Sequence, residues 1–256
     1  MRCFGLYVTA FAYIFIGITA SLRAETYTVA SFSLKPMMTE QKDGSVGGIY
    51  TDLVREAFSR ANHEVQFMHL PFPRALMMLK EKRIDAVASF FYAKERESFA
   101  VYARVPVLNY KMVFMARKES SVSFKGDYAD LAPHSLVTLR GSSYTPEFFA
   151  GIRRHNIKTF SVNNFDQSAA MVLNKRVDLA AVEFFSGINS VRRLNAFDKI
   201  QFLEPPIAII PTYLAFAKDR VPRKVVLAVE KALESMRDED YAKKILKNYI
   251  PSRFLK

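Results

Sequence analysis

Cysteine is almost missing from this chain: there is one in 256 residues, Cys3, and there is no tryptophan at all. A single thiol excludes an internal disulfide and any metal centre built on several thiolates. Histidine is scarce as well. His63, His69, His134 and His155 are scattered, with none of the spacings that hold zinc. The nine glycines form neither a phosphate-cradling loop nor a dinucleotide fingerprint, and no Gly-x-Ser-x-Gly elbow appears. Nothing in these motifs points to catalysis. The expectation is a protein with no catalytic residue, no metal and no cofactor.

The one long uncharged run, residues 3–22, lies at the N-terminus. Arg2 gives it a positive start, 4–18 are apolar, and the small residues Thr19, Ala20 and Ser21 lead to Ala24. That order is the order of a signal peptide, which we assign to 1–24. Leu22 is large for a position two before the cut, and about 20 uncharged residues would just span a bilayer, so a retained anchor is the alternative. Cleavage is preferred because a strand-like segment begins directly after Ala24. The expected location is the periplasm, and the cleaved chain, 25–256, would have lost its only cysteine. A domain of that size builds a core without disulfides.

Acids are outnumbered, 25 against 37 Lys and Arg, and still 25 against 35 once Arg2 and Arg23 leave with the signal. The positives are spread evenly, with short clusters at 80–83, 153–154 and 243–247 on helix ends or solvated faces. This pattern suits solubility and not a nucleic-acid groove, so no nucleic-acid partner is expected.

Short β-branched runs alternate with helical periodicity, which implies an α/β fold. Residues 26–33 read as a strand. Helix 52–62 follows, with Leu53, Val54, Ala57, Phe58 and Ala61 on one face, then strand 65–68 and helix 73–82 with Leu76 and Leu79 inward. Strand 84–88 is short and wholly apolar, hence central and parallel. The pattern then restarts with strand 135–139, helix 145–154, strand 159–162, helix 165–174 with Ala169, Ala170 and Leu173 inward, and buried strand 177–182. Residues 79–87 (LKEKRIDAV) echo 173–181 (LNKRVDLAA). Common helix-to-strand turns explain such an echo equally well, but two β-α-β-α-β halves around it favour two similar lobes. Strands 111–118 and 213–218 would join the lobes as a hinge, and helices 222–236 and 238–248 would complete the first. The expected lobes are 25–114 with 216–256, and 115–215.

Ligands of open α/β sheets bind beyond the carboxyl ends of strands. Ser89 to Arg96 lie beyond the first buried strand, Arg140, Gly141, Ser142 and Ser143 beyond strand 135–139, and Glu183 beyond the second buried strand. Free N–H groups and hydroxyls of the Gly-Ser-Ser turn would hold an anion. Plain capping of the next helix is the alternative.

These residues together resemble the family 3 extracytoplasmic solute-binding proteins, the polar amino-acid receptors of ABC importers. The landmarks are Asp43-Gly44, Gly48-Ile49-x-x-Asp52-Leu53, Lys82-Arg83-Ile84-Asp85, Ala93-Lys94-Glu95-Arg96, Gly141-Ser142-Ser143, and Arg176-Val177-Asp178 running to Glu183. The resemblance spans the cleaved chain. It implies a two-lobed periplasmic-binding-protein fold of type II, each lobe a mixed sheet flanked by helices, with two hinge strands. It also implies that Arg96 clasps a ligand carboxylate, that Ser142 and Ser143 add donors, and that Glu183 receives a ligand ammonium group. A planar guanidinium suits the first task because it offers two parallel donors.

Family members often carry small hydroxyl residues after Ser89, where this chain has Phe90, Phe91 and Tyr92, and Leu34 stands where a covering aromatic is common. Phe72 and Arg74 would supply an aromatic wall and a second cation, with core packing the alternative for Phe72 and Phe91. The expected ligand set is thus Ser89, Tyr92, Arg96, Ser142, Ser143, Glu183, Phe72 and Arg74. The resemblance implies a monomer that closes on a small amino-acid-like ligand and passes it to an inner-membrane ABC permease. Some relatives are cyclohexadienyl dehydratases, which act on prephenate or arogenate. Glu at 183, where receptors usually have Asp, keeps that alternative open provided its pKa is raised.

Overall fold

A computed structural model describes residues 24–142 and 144–255. The rest of the expected signal peptide and the candidate Ser143 lie outside the described residues. The first lobe opens with β1 (Thr26–Ser31), a small hairpin of β2 (Thr39–Glu40) and β3 (Val46–Gly47), α1 (Ile49–Arg60), β4 (Glu64–His69), α2 (Phe72–Lys80), β5 (Ala86–Phe91) and β6 (Ala100–Tyr102). The long strand β7 (Leu108–Arg117) leads to the second lobe: β8 (Leu136–Leu139), α3 (Pro146–Arg154), β9 (Thr159–Val162), α4 (Phe165–Leu173), β10 (Leu179–Glu183), α5 (Phe184–Arg193) and β11 (Ile200–Phe202). β12 (Ala208–Ala217) returns, and α6 (Arg223–Asp238) and α7 (Tyr241–Tyr249) close the chain.

The sheet runs β4-β1-β5-β12-β7-β10-β8-β9, and its two ends mirror one another. β1 is parallel to β4 and β5, as β8 is parallel to β9 and β10. In the middle β12 is antiparallel to β5, and β7 to β10. The strand expected to be central and parallel is central, but it is parallel on one edge only.

β7 and β12 pair with each other over Leu108–Met112 and 208–212, and this shared ladder is the crossing between lobes. Beyond it each strand has an edge its partner has left. β6 fills that edge on β12, and β11 fills it on β7. The boundaries expected at 114 and 216 fall within the two strands just past the crossing.

Helices cover both faces of each lobe because each carries one apolar stripe. α1 buries Leu53, Val54, Ala57 and Phe58 against α6 and the sheet, and each large side chain so buried contributes roughly 1.5–3 kcal/mol. Gly48 begins α1 at φ +128, where an added Cβ would sit 2.5 Å from the Met37 carbonyl oxygen, so glycine is required there twice over. In α4 the buried stripe is Phe165, Ser168, Ala169 and Val172. The expected inward residues Ala170 and Leu173 are only half-buried, because the i, i+3, i+4, i+7 spacing starts from Phe165. The C-terminal turn reaches across to the second lobe: Phe254 packs on Phe184, Phe197 and Phe202, and Arg192 donates to the Tyr249 carbonyl. No helix among the described residues is long and apolar enough to cross a membrane.

Candidate functional site

The echo seen in sequence is a structural device used twice. Lys82 and Lys175 both adopt left-handed backbone, at φ 56 and 57, which turns the chain from helix to strand. Three residues on, Asp85 accepts a hydrogen bond from Thr28 N at 2.7 Å, and Asp178 one from Ser135 N at 2.8 Å. Each carboxylate ties the new strand to the first strand of its lobe. Each also meets an arginine beside the hinge strands, Arg220 at 2.6 Å and Arg117 at 3.6 Å. Burial opposes ionisation of Asp178, but hydrogen bonds from Ser135 outweigh it and hold the pKa below the ordinary range.

The opposite ends of these strands face a cavity of about 230 Å³. From the first lobe Phe32, Ser33, Leu34, Phe72, Ser89, Phe91 and Arg96 line it. Tyr110 enters from the crossing strand β7, and Leu139, Arg140, Gly141 and Ser142 come from the second lobe. Arg96 sits on the 3₁₀ turn Lys94–Ser98. Its guanidinium carbon lies 4.4 Å from the centre of the Phe90 ring, and Nη1 donates to the Phe91 carbonyl at 3.0 Å. No carboxylate among the described residues pairs with it, neighbouring Glu95 and Glu97 included, which leaves it free to face the cavity. Phe90 is 1% exposed and Tyr102 stacks on it, which makes a fixed platform for the cation.

On the facing wall Gly141 turns the chain at φ +71. Tyr144 fixes this loop, because its hydroxyl accepts from Leu139 N at 2.8 Å while its ring stacks on Phe148. Helix α3 is capped by Thr145, whose hydroxyl accepts from Phe148 N. Ser142 is therefore not spent as that helix's cap and lines the cavity.

Beneath the cavity lies a buried polar cluster. Tyr50 is fully buried with its hydroxyl against Thr212 and Ser89, and burial drives its pKa up. Tyr110 is likewise pushed well above the ordinary value, first by burial and then by the charge of Glu183. Glu183 is 1% exposed and caps α5, accepting from Phe185 N at 3.1 Å and Ser186 N at 2.6 Å. Burial raises its pKa to about 7 in spite of those bonds.

A cleft between two mirrored α/β lobes, crossed by two strands and lined by a free arginine, has a counterpart among known proteins. The sequence pattern of the bacterial extracellular solute-binding proteins, family 3, matches residues 28–252. The chain belongs to this family. The probable amino-acid ABC transporter extracellular-binding protein YtmK from Bacillus subtilis superposes with a TM-score of 0.73 at 16% identity, covering 89% of this chain and 99% of its own. Substrate-binding domain 2 of Lactococcus lactis GlnP, in an open conformation, gives 0.71 at 15% identity over 88% and 95%. The periplasmic VFT2 domain of Bordetella pertussis BvgS gives 0.68 at 21% identity over 88% and 93%. At these identities the likeness speaks for the two-lobed fold. No curated protein sequence matches the chain.

Of the residues expected in the site of this solute-binding protein, the structure brings Ser89, Arg96 and Phe72 from the first lobe and Ser142 from the second into the lining of one cavity. Three others lie elsewhere. Tyr92 is 55% exposed, packs on Tyr102 and donates to Glu97, so it turns away from the cleft. Arg74 is exposed on α2, and two residues of helix rotate it about 200° from Phe72. Glu183 is sealed below the cavity with both oxygens engaged by its own helix. Phe72, expected as an aromatic wall, lines the cavity together with Phe91 and Phe32, whose ring meets Phe72 edge to face at 5.1 Å. Tyr110, one residue before the expected hinge strand, belongs to no sequence motif and enters the cavity from β7. Arg140 was noted only as part of its turn.

Proposed function

We propose that this chain is a periplasmic binding protein that captures a small carboxylate-bearing solute of amino-acid size by closing its two lobes, and presents it to an inner-membrane ABC permease as a monomer. The observation that carries this reading is the lining of one cavity by both lobes and the crossing strand, with Arg96 facing it and paired with no carboxylate among the described residues. A ligand touching both walls contacts the closed state more fully than the open one. It therefore shifts the equilibrium toward closure by that difference in affinity. A charge-assisted hydrogen bond contributes about 1.5–3 kcal/mol, so a few of them with a fitted apolar wall support micromolar binding, about −8 kcal/mol.

A thermal-shift screen against amino acids, opines, small peptides and other carboxylates tests this. A carboxylate should raise the melting temperature, and Arg96→Ala should remove the rise while the protein stays folded. Stabilisation surviving in that variant would take Arg96 out of the site.

One feature favours a second reading on the same scaffold, a cyclohexadienyl dehydratase. A general acid needs a raised pKa, and that of Glu183 lies at about 7. Its carboxyl does not line the cavity, however, and general-acid work requires reach to the leaving group. Turnover of prephenate or arogenate by the purified protein would decide for the enzyme.

A further inference from the structure

The cleft has cations on both walls and no acid. Arg96 belongs to the first lobe and Arg140 to the second, and among the described residues no Asp or Glu lines the space between them. The residues outside the described set, 1–23, Ser143 and Lys256, include no Asp or Glu either. The acid that the family resemblance assigns to a ligand ammonium group is Glu183, and it is 1% exposed with both oxygens taken by Phe185 N and Ser186 N. A backbone acceptor on the lining is spent too, because the Phe91 carbonyl takes both Arg96 and the Tyr102 hydroxyl. Hydroxyls of Ser33, Ser89, Ser142 and Tyr110 complete the polar lining; Ser33 already pairs with His69 Nε2 at 3.0 Å and Ser89 with Tyr50, and a hydroxyl suits an anion as well as a cation.

An α-amino acid brings a carboxylate and an ammonium group into the same few ångströms. Here the carboxylate would find two guanidinium groups, while the ammonium would be stripped of water beside those same cations with no carboxylate on the lining to pair with it. Phe32, Phe72, Phe91, Leu34 and Leu139 give the rest of the lining an apolar character. The volume of about 230 Å³ suits a small ligand, since sites for drug-sized molecules run from about 300 Å³ upward.

We propose that the cleft selects a small organic anion with an apolar body and no ammonium group, and discriminates against zwitterionic α-amino acids. This rests on the solute-binding reading of the cleft. Specificity here comes from the missing acid, which acts against one class of ligand, as much as from the arginines that attract another.

Matched pairs test it in protein expressed from the full chain. Isothermal titration at neutral pH would compare 3-phenylpropanoate with L-phenylalanine, 4-methylpentanoate with L-leucine, and glutarate with L-glutamate, using 2-phenylethylamine as the amine-only control. The acid lacking the amino group should bind at least tenfold more tightly within at least one apolar pair, a difference of 1.4 kcal/mol, and the amine should not bind. Equal or tighter binding of the amino acids would overturn the selectivity while leaving the solute-binding reading in place. Binding by 2-phenylethylamine would also overturn it. Silence from every carboxylate in both series would overturn the carboxylate-binding reading itself, and the selectivity with it.

Discussion

The two lobes are built alike at the end away from the cleft and differ at the end that faces it. At the buried end of each central strand an Asp ties strand to strand and meets an arginine near the hinge, Asp85 with Arg220 and Asp178 with Arg117. Five residues along each strand the likeness breaks. Counting from the two Asp residues, Phe90 in the first lobe stands where Glu183 stands in the second, and each is 1% exposed. The ring supports the cation of Arg96; the carboxyl caps a helix and carries a raised pKa. One register therefore yields a fixed positive wall on one side and a buried, readily protonated acid on the other.

The largest test of this difference is in the pH dependence of stability. The pKa of Glu183 rises from an ordinary 4.5 to about 7 on folding. Its contribution is then fully present below about pH 4.5 and is lost as pH climbs through about 7, because the folded state must ionise a buried acid. The shift corresponds to roughly 3 kcal/mol. Denaturant titrations of wild type and Glu183→Gln across pH 4 to 8 should diverge by that order, the variant gaining on wild type as pH rises. Parallel curves would mean that Glu183 is solvated and that the cleft ends of the lobes differ less than described. Phe90→Leu, the matching change in the first lobe, should leave the pH slope untouched.

The second test probes the shared end. Asp85→Ala removes a bond to Thr28 N and a 2.6 Å pairing with Arg220, from a side chain 13% exposed. A charge-assisted bond at such a site contributes about 1.5–3 kcal/mol, so a loss of about 2 kcal/mol is expected in urea unfolding. Asp178→Ala should cost about 1 kcal/mol less. Its side chain is 35% exposed, its arginine is 3.6 Å away, and Arg117 keeps the carbonyls of Val172 and Val177. Destabilisation by only one of the two substitutions would show that the repeated Asp is likeness of sequence without likeness of role.

How much of this was legible without coordinates follows the same division. The repeated Lys-to-Asp turn could be read because its reasons are local: a left-handed residue, then an acid beside a strand start. Helix α5 was not read, since Phe184-Phe185-Ser186-Gly187 is a poor helix former on propensity alone. Packing decides there, for a Cβ on Gly187 would lie 2.8 Å from Val182 Cγ2 and 2.9 Å from Phe202 Cε1. β6 and β11 are three residues each and exist because the crossing strands leave an edge open. Arg96 and Ser142 reach the cavity lining from motifs that fix their position along the chain. Tyr92 and Arg74 lie outside that lining because side-chain direction depends on strand end and helix phase, which a sequence motif does not carry. Tyr110 and Arg140 enter the cavity only through the pairing of distant segments, and no spacing along the chain records that.

The smallest expected effect sharpens the comparison at the cleft itself. Arg96 is half-buried, held on Phe90 and by the Phe91 carbonyl, so little side-chain freedom remains for a ligand to freeze. Arg140 is exposed, with only its backbone held, by a bond from its N to the Val162 carbonyl. Exposed pairings contribute about 0.2–1 kcal/mol, so Arg140→Ala should weaken binding of a carboxylate by no more than about fivefold. The same contact should fade as salt is raised, because screening acts on exposed charges first. Arg96→Ala, measured by the same titration, should weaken binding about a hundredfold with little dependence on salt. If the two substitutions cost the same, the guanidinium platform of the first lobe confers no advantage. The anion would then be shared evenly between walls that the structure draws as unequal.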